Sequence, residues 1–128
     1  MRSANRLGGP MAAKDTLGRR GEQLAADYLA GTGMAIIDRN WRCALGEIDL
    51  VMRDGGETVF VEVKTRAGLG YGHPLEAITA AKLARLRRLA AAWCEAHPGE
   101  AASIRIDAVA VIASRSGPVQ IEHLRRVF

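Results

Sequence analysis

The sequence predicts an α/β fold, a mixed central β-sheet flanked by helices in the order α-β-β-β-α-β-β. Three observations carry this. Two strand-like runs, Gly46-Glu47-Ile48-Asp49-Leu50-Val51 and Val59-Phe60-Val61-Glu62-Val63-Lys64-Thr65-Arg66, flank Asp54-Gly55-Gly56-Glu57, a turn whose glycines accept positive φ, and so form an antiparallel hairpin. Two segments, about Leu17 to Ala30 and Pro74 or Leu75 to about Ala96, repeat apolar residues at helical spacing. The second helix separates two strands, which implies a right-handed crossover and a parallel pair within the sheet.

The 128 residues make one domain, long enough to bury a core. Residues 1–14 carry Arg2, Arg6 and Lys14, no acids, and the breakers Gly8-Gly9-Pro10; they are expected to form a disordered basic tail before a single domain over 15–128. Asp15 and Thr16 offer N-caps for the first helix, and Gly31-Thr32-Gly33 ends it. Leu17, Leu24 and Tyr28 are expected to face the sheet, with Glu22 at the edge of the buried stripe beside Leu29. Met34 to Trp41 reads as a covered first strand, with Trp41 in the core or at its rim and Arg39 and Arg42 placed to meet a phosphate. Leu45-Gly46 then reverses the chain.

In the hairpin, Ile48, Leu50 and Met52 are the expected buried set, leaving Glu47 and Asp49 on the opposite face. Val59, Val61 and Val63 share one face of the next strand, and Phe60, Glu62, Lys64 and Arg66 the other. Pairing therefore brings Asp49 near Glu62 and Lys64. The loop from Ala67 to Pro74 has three glycines in five positions and either closes over a substrate or simply connects. Within it, Tyr71 offers a ring for base stacking, and His73 has no partner at metal or triad spacing. Leu83, Leu86, Leu89, Ala90 and Trp93 form the stripe of the second helix, with Lys82 bordering it. Arg85, Arg87 and Arg88 either track a phosphate backbone or form a wet face. Ser103 to Ala113 is apolar on both sides and hence central; its Asp107 caps or pairs structurally. Ser116-Gly117-Pro118 turns into a last short strand, Val119 to Leu124, followed by Arg125 and Arg126.

The formal charge of +4 and a pI near 9.6 favour a polyanionic partner. Cys43 and Cys94 lack the neighbours of a zinc motif and read as ordinary thiols. No stretch approaches a transmembrane span or a signal peptide, so a cytoplasmic protein without a membrane partner is expected.

Two carboxylates and an ammonium on one patch of a rigid sheet have a chemical use. Carboxylate oxygens are the hard ligands that Mg²⁺ or Mn²⁺ prefers, with waters and substrate phosphate completing the shell. Asp49 and Glu62 are the candidate ligands, the backbone carbonyl of Val63 a further one, and Lys64 the group for the attacking water or for transition-state charge. The same charges also suit a solvated face of cross-strand ion pairs. A sheet that is apolar on both sides, however, is usually covered on both, and acids there must pair or bind metal.

Asp49, twelve intervening residues and Glu62-Val63-Lys64 resemble the Asp...(Asp/Glu)-x-Lys core, PD-(D/E)xK, of the restriction-endonuclease-like nuclease superfamily. The longer string, Gly21-Glu22, Asn40-Trp41-Arg42, Gly46 to Val51, Phe60 to Arg66 and Arg105-Ile106-Asp107, resembles the YraN-like family of bacterial proteins, regarded as distant relatives of archaeal Holliday-junction resolvases. The resemblance implies a restriction-endonuclease-like core and a metal-dependent, DNA-directed nuclease, structure-selective in the manner of a resolvase. It also implies a fourth active-site residue, Glu22 from the first helix; the alternative for Glu22 is a solvent-facing helix acid. Nucleic-acid contacts are expected from Arg42, Arg66, Arg85 and Arg88, and a homodimer is expected by analogy with junction cutting. Two other readings stand beside this one: a nucleic-acid-binding module of the same fold working with a partner protein, and a structural protein whose acids form ion pairs.

Overall fold

The computed structural model describes residues 10–70, 72–101, 103–114 and 117–127. The elements are α1 (Pro10–Gly31), β1 (Ala35–Cys43), β2 (Gly46–Asp54), β3 (Glu57–Arg66), α2 (Ala80–Ala96), β4 (Ser103–Ile112) and β5 (Gln120–Leu124). They build one five-stranded sheet of order β1-β2-β3-β4-β5, antiparallel throughout except for the parallel pair β3–β4 that the α2 crossover joins. The expected mixed α/β architecture is therefore the one observed.

The helices cover opposite faces of the sheet. On one side Ala25, Ala26 and Leu29 of α1 pack with Leu50, Met52, Val59, Val61, Val109 and Val111. On the other, Leu86, Leu89, Ala90 and Trp93 of α2 pack with Ile48, Val51, Phe60 and Ile106. At the turn between β2 and β3, Asp54 pairs with Glu57, and Gly55 takes a φ of 61°, a conformation glycine adopts freely. The strand β4 lies between β3 and β5 and is buried along most of its length, as expected for a central strand.

Five local expectations need correction. The first strand is not covered: β1 is a sheet edge with no fully buried residue, and Ile36 is exposed. The helix α1 begins at Pro10 rather than near Leu17; proline at the first helical position forfeits no bond, because the first N–H groups have no intrahelical acceptor. The basic tail expected over 1–14 thus has helical backbone from Pro10 on, and residues 1–9 lie outside the described residues. Tyr28 is 42% exposed, and α1 turns Ala25, Ala26 and Leu29 toward the sheet instead. Gly21 sets that rotation: it is packed so tightly on β3 that a methyl group there would overlap the Thr65 hydroxyl.

The second helix does not run unbroken from Pro74. A 3-10 turn over Pro74–Ala77 is followed by extended backbone at Ile78 and Thr79, and Thr79 caps α2 by accepting the Lys82 N–H at 3.2 Å. Finally, Ile48 does not share a face with Leu50 and Met52: it joins the α2-side core while they join the α1-side core. The ladder between β2 and β3 runs from Asp54–Glu57 to Leu50–Val61, and Asn40 opposite this point has a φ of 51°. Regular alternation is interrupted there, at Asp49.

Candidate active site

That interruption shapes the site. Beyond the Leu50–Val61 pair, the Asp49 side chain takes over from the backbone: its Oδ2 accepts the Val63 N–H at 2.9 Å. Glu62 and Lys64 follow Phe60 at two-residue intervals and so share its side of β3, and Lys64 Nζ lies 3.8 Å from Glu62 Oε2. A cleft of about 210 Å³ opens here between the sheet and α2, lined by Glu47, Asp49 and Glu62 on one wall and by Lys82, Arg85 and Leu86 on the other.

Glu22 approaches from the opposite helix. It falls on the buried stripe of α1, at helical spacing from Ala25, Ala26 and Leu29, so the tight Gly21–Thr65 contact carries it toward the sheet end. Its Oε1 accepts the Asn40 amide at 2.9 Å, and its charge acts on both Asp49 and Glu62.

The electrostatics follow from crowding. Burial, then the Glu62 charge, pushes the Asp49 carboxyl up to about 8, against the opposing pull of the Val63 N–H; Glu22 and Glu47 push the same way. Glu62 is also raised, by burial, while Lys64, Lys82 and Arg85 counteract and Glu22 adds to the rise. Asp49 is therefore raised by burial and by like charge, whereas Glu62 is raised by its burial in spite of three nearby cations. Among the described residues no three His, Cys, Asp or Glu side chains converge closely enough to hold a metal by themselves. The donor set is a carboxylate pair with adjoining backbone, which matches the sparse protein coordination typical of Mg²⁺.

The structure thus brings together Glu22, Asp49, Glu62, Val63 and Lys64. Arg85 lines the same cleft, whereas Arg66 lies with Lys64 and Glu22 along a second groove, between α1 and the end of β3. Arg42 is held 3.5 Å from Glu47 at the site's rim, and Arg88 is exposed on α2 outside the cleft lining. Tyr71 lies outside the described residues. His73 does find a partner: its Nδ1 accepts the Leu75 N–H, leaving Nε2 to donate to Glu122 of β5 at 2.7 Å, so it anchors the loop. Sequence reasoning missed Asn40 and placed Lys82 only at the border of a helical stripe; the spacing of Lys82 and Arg85, one turn apart, was the available signal.

The other acid of interest, Asp107, is fully buried and belongs to a separate, saturated network. Arg105 grips it through two bonds of 3.0 Å, the His123 ring lies 2.7 Å away, and the Arg126 N–H donates at 3.0 Å. Arg105 also reaches Asp54 and Glu57 at 2.9 and 3.0 Å. Burial would raise Asp107, but these donors outweigh it and hold the carboxyl below its ordinary range. Asp107 is structural, as its position suggested.

Cys43 and Cys94 are free thiols, and no helix among the described residues is long and apolar enough to cross a membrane.

Residues 21–111, which include all of these acids, match the family described as Uncharacterised protein family UPF0102. The chain is 57% identical over 115 residues to a UPF0102 protein of Clavibacter michiganensis subsp. michiganensis, covering 90% of this chain and 98% of that one. It is 58% identical over 117 residues to a UPF0102 protein of an Arthrobacter species, covering 91% and 99%. A UPF0102 protein of Frankia alni shares 54% identity over 118 residues, covering 92% and 98%. With the family match spanning most of the chain and relatives aligned nearly end to end, the protein belongs to the UPF0102, or YraN-like, family.

Proposed function

We propose that the protein is a divalent-metal-dependent endonuclease acting on DNA, with the selectivity for branched structures that a resolvase-like fold implies. The observation that carries this reading is the pair of carboxylates, Asp49 and Glu62, that lines a cleft whose far wall is basic, both raised chiefly by burial. Buried like-charged acids are costly unless a cation joins them.

In this reading Asp49 and Glu62 hold Mg²⁺ or Mn²⁺, with the Val63 carbonyl as a further oxygen donor. Such an ion, when bound, lowers the pKa of a water and neutralises phosphate charge. Lys64, held against Glu62 at 3.8 Å, orients the attacking water and faces the charge that develops on the phosphate. Glu22, fixed by Asn40, supplies an accessory acceptor for that water. Arg42, Arg66, Arg85 and Arg88 contact the DNA backbone, and two cuts on a two-fold junction call for a symmetric dimer.

The test is cleavage of labelled single-stranded, duplex, flapped and four-way-junction DNA with Mg²⁺ or Mn²⁺, beside Asp49→Asn prepared identically. Loss of cleavage in the variant by about 10²-fold or more is the expected outcome; equal rates would contradict the assignment. A second reading, a DNA-binding module without catalysis, draws on the absence of a three-ligand cluster among the described residues. It requires salt-steep binding that survives both chelation and Asp49→Asn.

A further inference from the structure

We infer that Lys82 and Arg85 form a two-pronged grip on the scissile phosphodiester, holding it from the α2 side against the acid pair on the sheet. The inference rests on the nuclease reading of that cleft and adds to it Lys82 and the direction from which the phosphate is held.

Lys82 and Arg85 are one turn apart on α2 and line the same cleft as Asp49 and Glu62. The charges of both act on Glu62, yet the ion pair that Glu62 makes is with Lys64. Among the described residues neither Lys82 nor Arg85 forms an ion pair or a side-chain hydrogen bond. Elsewhere in the molecule cations close fully onto acids, as Arg105 does on Asp107 at 3.0 Å. Here two cations and two acids face each other across a space they leave open. A phosphodiester with its metal ion is complementary to that arrangement: anionic oxygens toward the helix, cation toward the carboxylates. The helix can hold the two prongs at a fixed separation because Thr79 caps its first turn and Leu86 and Leu89 anchor the next two in the core.

The test is a salt titration of DNA binding in EDTA, by anisotropy of a labelled four-way junction and duplex, run beside Mg²⁺-dependent cleavage. Lys82→Ala and Arg85→Ala are each expected to lower the slope of log K against log salt by about 0.9, one phosphate contact. In cleavage they lower kcat/KM with the melting temperature unchanged. Lys82→Arg and Arg85→Lys, which keep the charge, retain the slope. Arg53→Ala removes a cation near Glu100, away from the cleft, and leaves slope and cleavage unchanged.

Unchanged slopes in both alanine variants would overturn the grip whether or not the wild type cuts. A wild type that cuts, with alanine variants that bind and cut equally well, overturns the grip and leaves the nuclease standing. Reduced slopes in a wild type that never cuts uphold a phosphate-holding pair and overturn the nuclease. A wild type that neither binds nor cuts overturns both.

Discussion

The protein carries two clusters of buried or half-buried acids on opposite faces of one sheet, and they differ in how their charge is met. Around Asp107 every acid is answered: Arg105 serves Asp107, Asp54 and Glu57 at once, Arg126 adds a second cation to Glu57, and Arg125 reaches Asp54. Around Asp49 the contacts are looser: Lys64 lies 3.8 Å from Glu62, Arg42 lies 3.5 Å from Glu47, and Asp49 itself takes the Val63 N–H. Asp107 is accordingly lowered and Asp49 raised, though both are withdrawn from water. The contrast separates architecture from chemistry. A carboxylate with all its partners inside the chain has no capacity left for a ligand, whereas the Asp49 and Glu62 carboxylates face an open cleft.

Arg105 is the most sensitive point of the buried network. Arg105→Ala would strand Asp107 without its cation in the interior, at an expected cost of about 3–5 kcal/mol, read as a large fall in urea midpoint. A loss below about 1 kcal/mol would mean that the network is ornamental. Next in size is Gly21→Ala, which pushes α1 off Thr65 and is expected to cost about 1–3 kcal/mol. Thr65→Ala in the same chain should restore part of it, and an unaltered melting temperature in the single variant would remove Gly21 from the account.

Titration sharpens the same contrast with opposite signs. Asp49 has a folded pKa of about 8 against an ordinary 3.8, so the folded state binds more protons in that window, and metal-free stability falls as pH rises from about 4 to 8. Asp107 is lowered, so its contribution is present above its ordinary pKa and is lost as pH falls through the folded value. Asp49→Asn should flatten the neutral-range slope and raise the metal-free melting temperature at pH 8 by a few degrees, about 1 kcal/mol or more in stability. A slope identical in wild type and variant would contradict the raised Asp49.

Much of this was legible in the sequence because it depends on short-range periodicity. Alternation in β3 and the Gly55-Gly56 turn predict Asp49 near Glu62, and past the last ladder pair Asp49 does take the Val63 N–H and feel the Glu62 charge. What was not legible depends on the third dimension. The rotation of α1 follows from one close approach, Gly21 on Thr65, and turns out Tyr28 while turning in Ala25 and Ala26. The irregularity at Asp49 separates Ile48 from Leu50 although the letters alternate. The break before α2 was signalled only by β-branched Ile78 and Thr79. The partners of Arg105 come from β2, β3 and β4, so no local window contains them.

Arg105 closes on Asp107 at 3.0 Å, whereas no cation among the described residues closes on Asp49 in the same way. The most direct test is melting at pH 8 with increasing Mn²⁺, for wild type and Asp49→Asn. The expected result is a melting temperature that climbs with Mn²⁺ in the wild type, as a ligand bound to the folded state requires, and stays flat in the variant. A wild type that does not respond, or a variant that responds equally, would contradict metal binding at Asp49.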